Sequence, residues 1–264
     1  LHNGVWKGYK PSNIYLSCDH FKTRDDEENL DSLYKYPSFV DVDEIFSHIK
    51  YLSHTLKTRH PGSKELEEAA RYIRYNFKKY GVLPLFGGSY FQEFKSKIED
   101  KIYELINVCG YIKGREEKYI VLSAHYDHLF PYNDVFYPGA NDNASGVSLL
   151  IELAKYFSKK DPLRYGLIFC AFSAEEYGRF GSRFFVENYD KKKIISNINI
   201  DSIGRMDDKN IRVLFSKSSN WSWIIKNVSR IISMKYTDIN TPLDSSDNVS
   251  FIEKGIPAIQ IFDG

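Results

Sequence analysis

The sequence is short of cysteine and has no excess of one charge. Its 264 residues include only three cysteines, Cys18, Cys109 and Cys170, too few for the disulfide framework of many small secreted domains. Cys109 and Cys170 lie in apolar, strand-like runs, so we expect them to be small buried side chains. Lys and Arg number 36 against 35 Asp and Glu, a net charge of +1. This balance argues against a binding surface for nucleic acid or for an anionic membrane.

The sequence also lacks long apolar runs and two common catalytic motifs. No stretch of about 18 apolar residues is present, so we expect no membrane span. No Gly-x-Ser-x-Gly motif supports a Ser-His-Asp hydrolase, and no Walker-type loop is available to bind phosphates. With 42% hydrophobic and 27% charged residues, the composition is that of a globular protein that buries a sizeable core.

Helix-like and strand-like segments alternate along most of the chain. Residues 1–42 are polar, aromatic and irregular, and we predict an arm laid over the domain. Apolar residues at steps of three and four predict a helix that Asp43 caps, and a second over 65–80 that is capped by Ser63 and ended by Gly81. The other predicted elements are strands at 90–98, 104–112, 119–124, 166–173, 194–201 and 258–262, and helices at 145–157, 182–186, 222–232 and 247–254.

This alternation of strands and helices predicts the fold class. It favours a single α/β domain over residues 43–264, with a mostly parallel central sheet sandwiched between helices. Four short motifs follow strand ends or open helices: His125-Tyr126-Asp127, residues 139–146, Ala174-Glu175-Glu176 and Asn199-Ile200-Asp201. In an open α/β sheet such loops line one edge, where ligands bind. We therefore expect these motifs to meet in space.

The residue types in these motifs suit a metal site. Zinc binds imidazole nitrogen and carboxylate oxygen at about 2.0–2.2 Å. His125 offers the nitrogen, and oxygens come from the acidic residues Asp142, Glu176 and Asp201. One carboxylate could bridge two metals about 3.5–4 Å apart. Asp127 could accept the second N–H of the imidazole, as ligating histidines require.

Each of these residues also has an ordinary structural explanation. A histidine after a strand is usually structural, the Glu175-Glu176 pair could be a solvated helix start, and Asp142 could be a helix cap. Asp201 is harder to explain in this way, because it ends an apolar run and a charge there needs a partner. Four such features at strand ends together favour the metal site, which leaves Glu175 free to act as a general base.

The motifs resemble the two-zinc exopeptidases of metallopeptidase family 28, which contains aminopeptidases and glutaminyl cyclases. The resemblance runs from about Glu65 to the end of the chain. It rests on residues 124–127, 139–146, 172–178, 181–182, 199–205 and 246–258, in that order and spacing. It implies an eight-stranded, mostly parallel sheet between helices.

The resemblance also implies a role for each site residue. His125 and Asp201 would hold one zinc, Asp142 would bridge to a second, and Glu176 would hold that second zinc. Peptides with a free N-terminus would be cleaved by a zinc-activated water, with Glu175 as the general base and later as the acid for the leaving amine. Asp127 would orient His125, and the Asp142–Asn143 peptide bond is expected to be cis.

The sequence departs from the family pattern in two places. All seven histidines lie at or before position 128, whereas the second zinc of the family normally takes a histidine beyond the Gly255-Ile256-Pro257 segment. Because the sequence ends at Gly264, on a predicted core strand, we expect a C-terminally truncated domain. The family often has Ser-Asp-His where this chain has Ser246-Asp247-Asn248. The second zinc should bind weakly because of the first departure, the missing histidine; the second departure concerns local hydrogen bonding and not the metal ligands.

Two other functions stay open at this point. A glutaminyl cyclase-like acyltransferase would share these motifs but run on one zinc. A non-catalytic binding protein on the same fold would have lost its metals, and the missing histidine favours it. An extracytoplasmic or secreted location is expected from the family alone, and the sequence carries no signal for the oligomeric state.

Overall fold

The protein is described by a computed structural model that covers residues 41–131, 137–205, 210–215, 221–231, 235–238 and 246–263. The predicted arm over residues 1–42 lies outside the described residues except for its last two. Those two belong to the start of the first helix, for which Asp41 is the cap and Val42 the first residue. The extent of the arm and the division of the chain at residue 43 remain predictions.

A mixed nine-stranded sheet forms the centre of the described structure. Its strands are β1 (Leu83–Pro84), β2 (Phe91–Ile98), β3 (Lys101–Ile112), β4 (Glu116–His125), β5 (Tyr165–Phe172), β6 (Ile194–Ile200), β7 (Asn210–Phe215), β8 (Lys235–Asp238) and β9 (Ala258–Phe262). Their order is β1-β3-β5-β4-β6-β9-β7-β8, and β2 pairs with β3. The four central strands β5, β4, β6 and β9 are parallel, as predicted.

Antiparallel pairs flank this parallel centre on both sides. Strand β3 runs antiparallel to β5 and also to β1 and β2, and β7 runs antiparallel to β9. The sequence does not predict β7 or β8, because they have only six and four residues and show little alternation. The sheet therefore has nine strands where the resemblance implies eight.

The described residues contain six α-helices, which cover both faces of the sheet. They are α1 (Val42–Lys50), α2 (Lys64–Lys79), α3 (Gly146–Phe157), α4 (Phe180–Asn188), α5 (Trp221–Ile231) and α6 (Asn248–Glu253). Successive side chains of a strand point to opposite faces. Leu122 of β4 therefore packs in the core under α2 and α3, while Val121 packs in the core under α4 and α6. None of the described helices is long and apolar enough to cross a bilayer.

Local capping explains where the first two helices begin. The hydroxyl of Ser63 accepts the backbone N–H of Leu66 at 3.1 Å, and α2 ends two residues before Gly81, as its caps predict. For α1 the predicted cap at Asp43 is wrong by two residues. The carboxylate of Asp41 accepts the N–H of Asp43 instead, at 3.0 Å, so the earlier of two nearby aspartates starts the helix.

Candidate metal centre

The predicted site residues lie at the carboxyl ends of two neighbouring parallel strands. Strand β4 ends at His125, and Asp201 follows β6 directly. These strands pair in register, with Ser123 opposite Asn199, so their ends reach the same edge of the sheet. A kinked turn over Ala140–Ser145, with non-helical backbone at Asp142 and Asn143, brings Asp142 to the same place before α3 begins. The expectation that the motifs meet in space is confirmed.

Three of the four predicted metal ligands form one compact group. His125 Nε2 lies 3.1 Å from Asp142 Oδ1 and 3.3 Å from Asp201 Oδ1. One donor atom from each of these residues lies within 4.8 Å of the other two. The side chain of His125 is 1% exposed whereas that of Asp142 is 55% exposed, so the group opens to solvent on the Asp142 side.

The fourth predicted ligand, Glu176, is not a member of this three-donor group in the described part of the chain. It lies near enough for the charges of the group to act on it, because His125, Asp142 and Asp201 all influence its pKa. Burial is the largest influence, and it raises the pKa of Glu176 to about 7. The geometry thus supplies the donors for one metal ion, and a second ion with Glu176 remains a prediction.

Asp127 contacts both the histidine and the glutamate pair. Nδ1 of His125 is 3.3 Å from the backbone oxygen of Asp127 and 3.7 Å from its Oδ1. The buried carboxylate of Asp127 also accepts the backbone N–H groups of Glu175 at 3.1 Å and Glu176 at 3.3 Å. The sequence predicts the first contact but not the second. One aspartate therefore fixes His125 and the glutamate turn relative to each other.

Asn143 fixes the turn that carries Asp142. The Asp142–Asn143 peptide bond is cis, as predicted. The side-chain oxygen of Asn143 accepts N–H groups of Gly146 at 3.0 Å and Ser202 at 3.1 Å, and its amide donates to the carbonyl of Ile200 at 2.9 Å. These bonds tie the turn to the end of β6 and so keep Asp142 beside Asp201.

The charges of the site are those of acids crowded around one imidazole. Burial disfavours the charged form of His125, but the negative charge of Asp201 and hydrogen bonds to Asp127 and Asp142 raise the pKa of His125 well above its usual value. Burial also opposes ionisation of Asp201, yet His125 outweighs it and lowers the pKa of this carboxyl. Acidic side chains therefore outnumber the one imidazole of the site.

Two further carboxyl groups, Glu175 and Asp247, show the same shortage of positive charge. Oε2 of Glu175 lies 4.0 Å from His125 Nε2. Burial raises the pKa of Glu175 well above its usual range and that of Asp247 to about 7. Imidazole nitrogen with carboxylate oxygens suits Zn²⁺, and a divalent cation would offset this repulsion. The residues present therefore fit a zinc ion held by His125, Asp142 and Asp201.

The family model described as "Peptidase family M28" matches residues 107–264. The chain belongs to peptidase family M28. Among curated relatives, the aminopeptidase YwaD of Bacillus subtilis is 32% identical over 159 residues, which are 57% of this chain and 34% of YwaD. A probable zinc metalloprotease of Pyricularia oryzae is 32% identical over 148 residues, 52% of this chain and 29% of that protein. The chain thus spans about a third of the length of these curated relatives.

Solved structures confirm the M28 fold. A glutaminyl cyclase from an Acidobacteriales bacterium superposes with a TM-score of 0.69 at 22% identity, over 87% of this chain and 83% of that one. BSAP, a zinc aminopeptidase from Bacillus subtilis, also has a TM-score of 0.69, at 18% identity over 84% of this chain and 85% of that one. At these identities the likeness is one of fold alone. The fold is shared by a protein named as a glutaminyl cyclase and by one named as a zinc aminopeptidase.

Arg59 is a site-supporting residue of this M28 chain that the sequence does not single out. Its buried guanidinium donates to the backbone oxygens of Tyr126 at 2.9 Å, Pro138 at 3.1 Å and Gly139 at 3.0 Å, and also to that of Leu52. Tyr126 lies between two site residues, and Gly139 precedes the turn that carries Asp142. A single arginine without a local pattern gives no sequence signal for this role.

His128 completes this support. It is 1% exposed, and its Nε2 accepts the backbone N–H of Arg59 at 2.7 Å. The backbone N–H of His128 donates to the backbone oxygen of Arg59 at 3.1 Å. His128 therefore fixes the segment around Arg59, which explains a second histidine so near the site.

Proposed function

We propose that this chain carries the catalytic domain of a zinc-dependent aminopeptidase. The observation that carries the proposal is the group of His125, Asp142 and Asp201, with Glu175 Oε2 4.0 Å from His125 Nε2. Membership of family M28 and relatives named as an aminopeptidase and as zinc metalloproteases support it. The substrates are peptides with a free N-terminus.

The residues of the site divide the chemistry among them. Bound zinc would supply a Lewis acid that polarises the scissile carbonyl and lowers the pKa of water towards about 7. Glu175 accepts the proton of the attacking water and passes it to the leaving amine, for which a raised pKa is suitable. The carboxylate of Asp127 accepts the backbone N–H of Glu175 and so keeps Glu175 in place. Asp127 also keeps His125 in one orientation.

In this proposal the preference for N-termini follows from the many carboxylate groups of the site. Asp142 and Glu176, the latter not a member of the three-donor group, are the residues proposed to hold a second zinc. The free ammonium group of a substrate is complementary to the carboxylates of the site. N-acetylation of the substrate removes that charge and should abolish cleavage.

Glu175→Gln tests this function. The variant keeps the shape of the side chain but cannot accept a proton, so we expect hydrolysis of leucyl-p-nitroanilide to fall at least about 100-fold. Zinc content per chain should stay at the wild-type level. Glu187→Gln is the matched control, because Glu187 is exposed, lies near the C-terminal end of α4 and pairs with Lys254. Near-normal turnover by Glu175→Gln would refute the general-base role.

A glutaminyl cyclase-like acyltransferase is the second candidate. It is favoured by the finding that the described residues contain one three-donor group, because that group accounts for one zinc and not two. Incubation with a glutaminyl peptide separates the two activities: a cyclase releases ammonia and leaves a blocked N-terminus, whereas an aminopeptidase releases free glutamine. A folded protein that binds no zinc and does neither would point to the binding-protein alternative.

A further inference from the structure

The turn that carries Asp142 and the loop that follows Asp201 are joined by side chains of the turn. We define the turn as Ala140–Ser145 and the loop as residues 202–204. Every second residue of the turn directs a side-chain oxygen at the loop, namely Asn141, Asn143 and Ser145. The residue between the first two of these is Asp142 itself. The bonds therefore surround one proposed zinc ligand and begin directly after another.

The first two bonds accompany a sharp bend after Asp201. Asn143 Oδ1 accepts the N–H of Ser202 at 3.1 Å, and Ser145 Oγ accepts that of Ile203 at 3.0 Å. Ser202 has a left-handed backbone, with φ 53°, and such a residue lets successive N–H groups point the same way. Ser145 also donates its hydroxyl hydrogen to a backbone oxygen of its own turn at 2.6 Å. The hydroxyl of Ser145 thus bonds to the turn and to the loop at once.

The third bond depends on a glycine in the loop. Asn141 Oδ1 accepts the N–H of Gly204 at 2.7 Å. A Cβ at position 204 would lie 2.8 Å from that same oxygen, which is too close for the two atoms to stay where they are. The side-chain amide of Asn141 also lies 3.4 Å from Oδ1 of Asp263, the residue after β9. Asn141 therefore connects the turn both to the loop and to the end of β9.

We propose that Asn141, Ser145 and Gly204 are positioning residues of the metal centre. Their bonds fix the loop against the turn and so set the distance between the carboxylates of Asp142 and Asp201. Zinc needs its donor atoms at about 2.0–2.2 Å, so a small change in this distance weakens binding. The inference rests on the proposed roles of these two aspartates as zinc ligands.

The contact between Asn141 and Gly204 permits a double-variant test. Asn141→Ala removes the acceptor, whereas Gly204→Ala keeps the N–H but forces Asn141 away. The backbone at Gly204 is not left-handed, so alanine can adopt its conformation. We expect each change to weaken zinc binding about 10-fold, measured as a dissociation constant by competition with a chromophoric chelator.

The double variant distinguishes a direct contact from two unrelated effects. Asn141→Ala removes the oxygen that the new Cβ of Gly204→Ala would meet. The double variant should therefore bind zinc within about 2-fold of Asn141→Ala alone. Independent effects would instead add, to a loss of about 100-fold.

Ser145→Ala tests the second bond, and Ser148→Ala is its matched control. Both serines are buried, and both donate to the backbone oxygen four residues earlier at 2.6 Å. Ser145 also accepts from the loop, whereas Ser148 makes no such bond to the described residues of the loop. We expect Ser145→Ala to weaken zinc binding about 10-fold and Ser148→Ala to weaken it less than about 2-fold.

Urea unfolding in the presence of a chelator separates positioning from stability. Gly204 is exposed, so water can replace the bond lost in Asn141→Ala, and the urea midpoint should stay close to that of the wild type. A lower midpoint with unchanged zinc affinity would mark a purely structural role and overturn the inference.

The remaining outcomes separate the inference from the proposed function. If the wild type binds zinc and the three single variants bind it equally well, the positioning role is overturned while the zinc site stands. Additive losses in the double variant, or an equal loss in Ser148→Ala, would also overturn it. A wild type that binds no zinc contradicts the proposed function itself, and the inference with it.

Discussion

Arg59 organises the surroundings of the site through backbone contacts alone. Its guanidinium donates to four carbonyl oxygens from three separate stretches of chain. Burial lowers the pKa of Arg59 to about 10, against the opposing charges of Asp127 and Asp142, so the side chain stays charged at neutral pH. The segments that carry Asp127 and Asp142 are thus held by one buried cation.

Replacement of Arg59 should therefore destabilise the whole domain. Arg59→Met keeps the apolar stem but leaves buried carbonyls without donors, each at a cost of about 1–3 kcal/mol. We expect the free energy of unfolding, measured in urea, to fall by about 3 kcal/mol or more. Arg71→Met is the control, because Arg71 is half exposed and its ion-pair partners among the described residues, Glu67 and Glu68, lie on its own helix; its loss should cost less than about 0.5 kcal/mol. Equal effects in the two variants would contradict the role given to Arg59.

The difference between predicted and unpredicted site residues has a physical cause. His125, Asp142 and Asp201 are predictable because each lies at a strand end or helix start, where side chains of parallel strands meet. Apart from Leu52, the backbone groups bonded by Arg59 and by the carboxylate of Asp127 lie 48 to 80 residues away in the sequence, and no local pattern encodes such pairs.

At the scale of elements, helix α1 packs on α3 through a buried polar cluster. His48 is 6% exposed; its Nδ1 lies 2.6 Å from the hydroxyl of Tyr72 on α2, and its Nε2 lies 3.6 Å from Glu152 Oε1 on α3. Lys155 forms ion pairs with Glu44 and, at 3.2 Å, with Glu152. Burial lowers the pKa of His48 to about 4 and raises that of Glu152.

This cluster makes the contribution of His48 to stability depend on pH. The unfolded chain binds a proton on His48 below about pH 6.5, whereas the folded chain binds it only below about pH 4. Between these values the unfolded state takes up more protons, so acidification favours unfolding. Glu152 acts in the opposite direction, because its folded-state pKa is raised and the folded chain holds that proton more tightly.

Comparison with His48→Asn isolates the histidine from Glu152. Asparagine can still bond to the Tyr72 hydroxyl but does not titrate. We expect the stability difference, wild type minus variant, to fall by about 2 kcal/mol between pH 7 and pH 4.5 in urea unfolding. A difference that is constant over this range would show that His48 is not kept neutral by the fold.

At the scale of the whole molecule, the order of strands in the sheet cannot be predicted from the sequence. Helix α2 is predictable almost to the residue, because Ser63 and Gly81 mark its ends. By contrast β3 and β4 are consecutive in the chain but separated in the sheet by β5, which is antiparallel to one and parallel to the other. Apolar periodicity identifies strands and their buried faces, but not which strands become neighbours, so the antiparallel flanks are not predicted.

That topology makes the metal centre a link between distant parts of the fold. The three donors come from the end of β4, the turn before α3 and the residue after β6. An ion that binds only the folded arrangement stabilises it, by about 2.7 kcal/mol when free zinc is about 100 times its dissociation constant. Zinc also relieves the repulsion among the buried carboxylates, so removal of the ion should lower the melting temperature of the entire domain.

Thermal unfolding with zinc, with a chelator and with magnesium measures this link. We expect zinc to raise the melting temperature of the wild type and magnesium to have little effect, because the donor set includes an imidazole. Asp142→Ala should abolish the zinc-dependent increment while changing the metal-free protein little, since the Asp142 side chain is 55% exposed. If Asp142→Ala kept the full increment, the stabilising ion would lie elsewhere, and neither the three-donor site nor the catalysis built on it could stand as described.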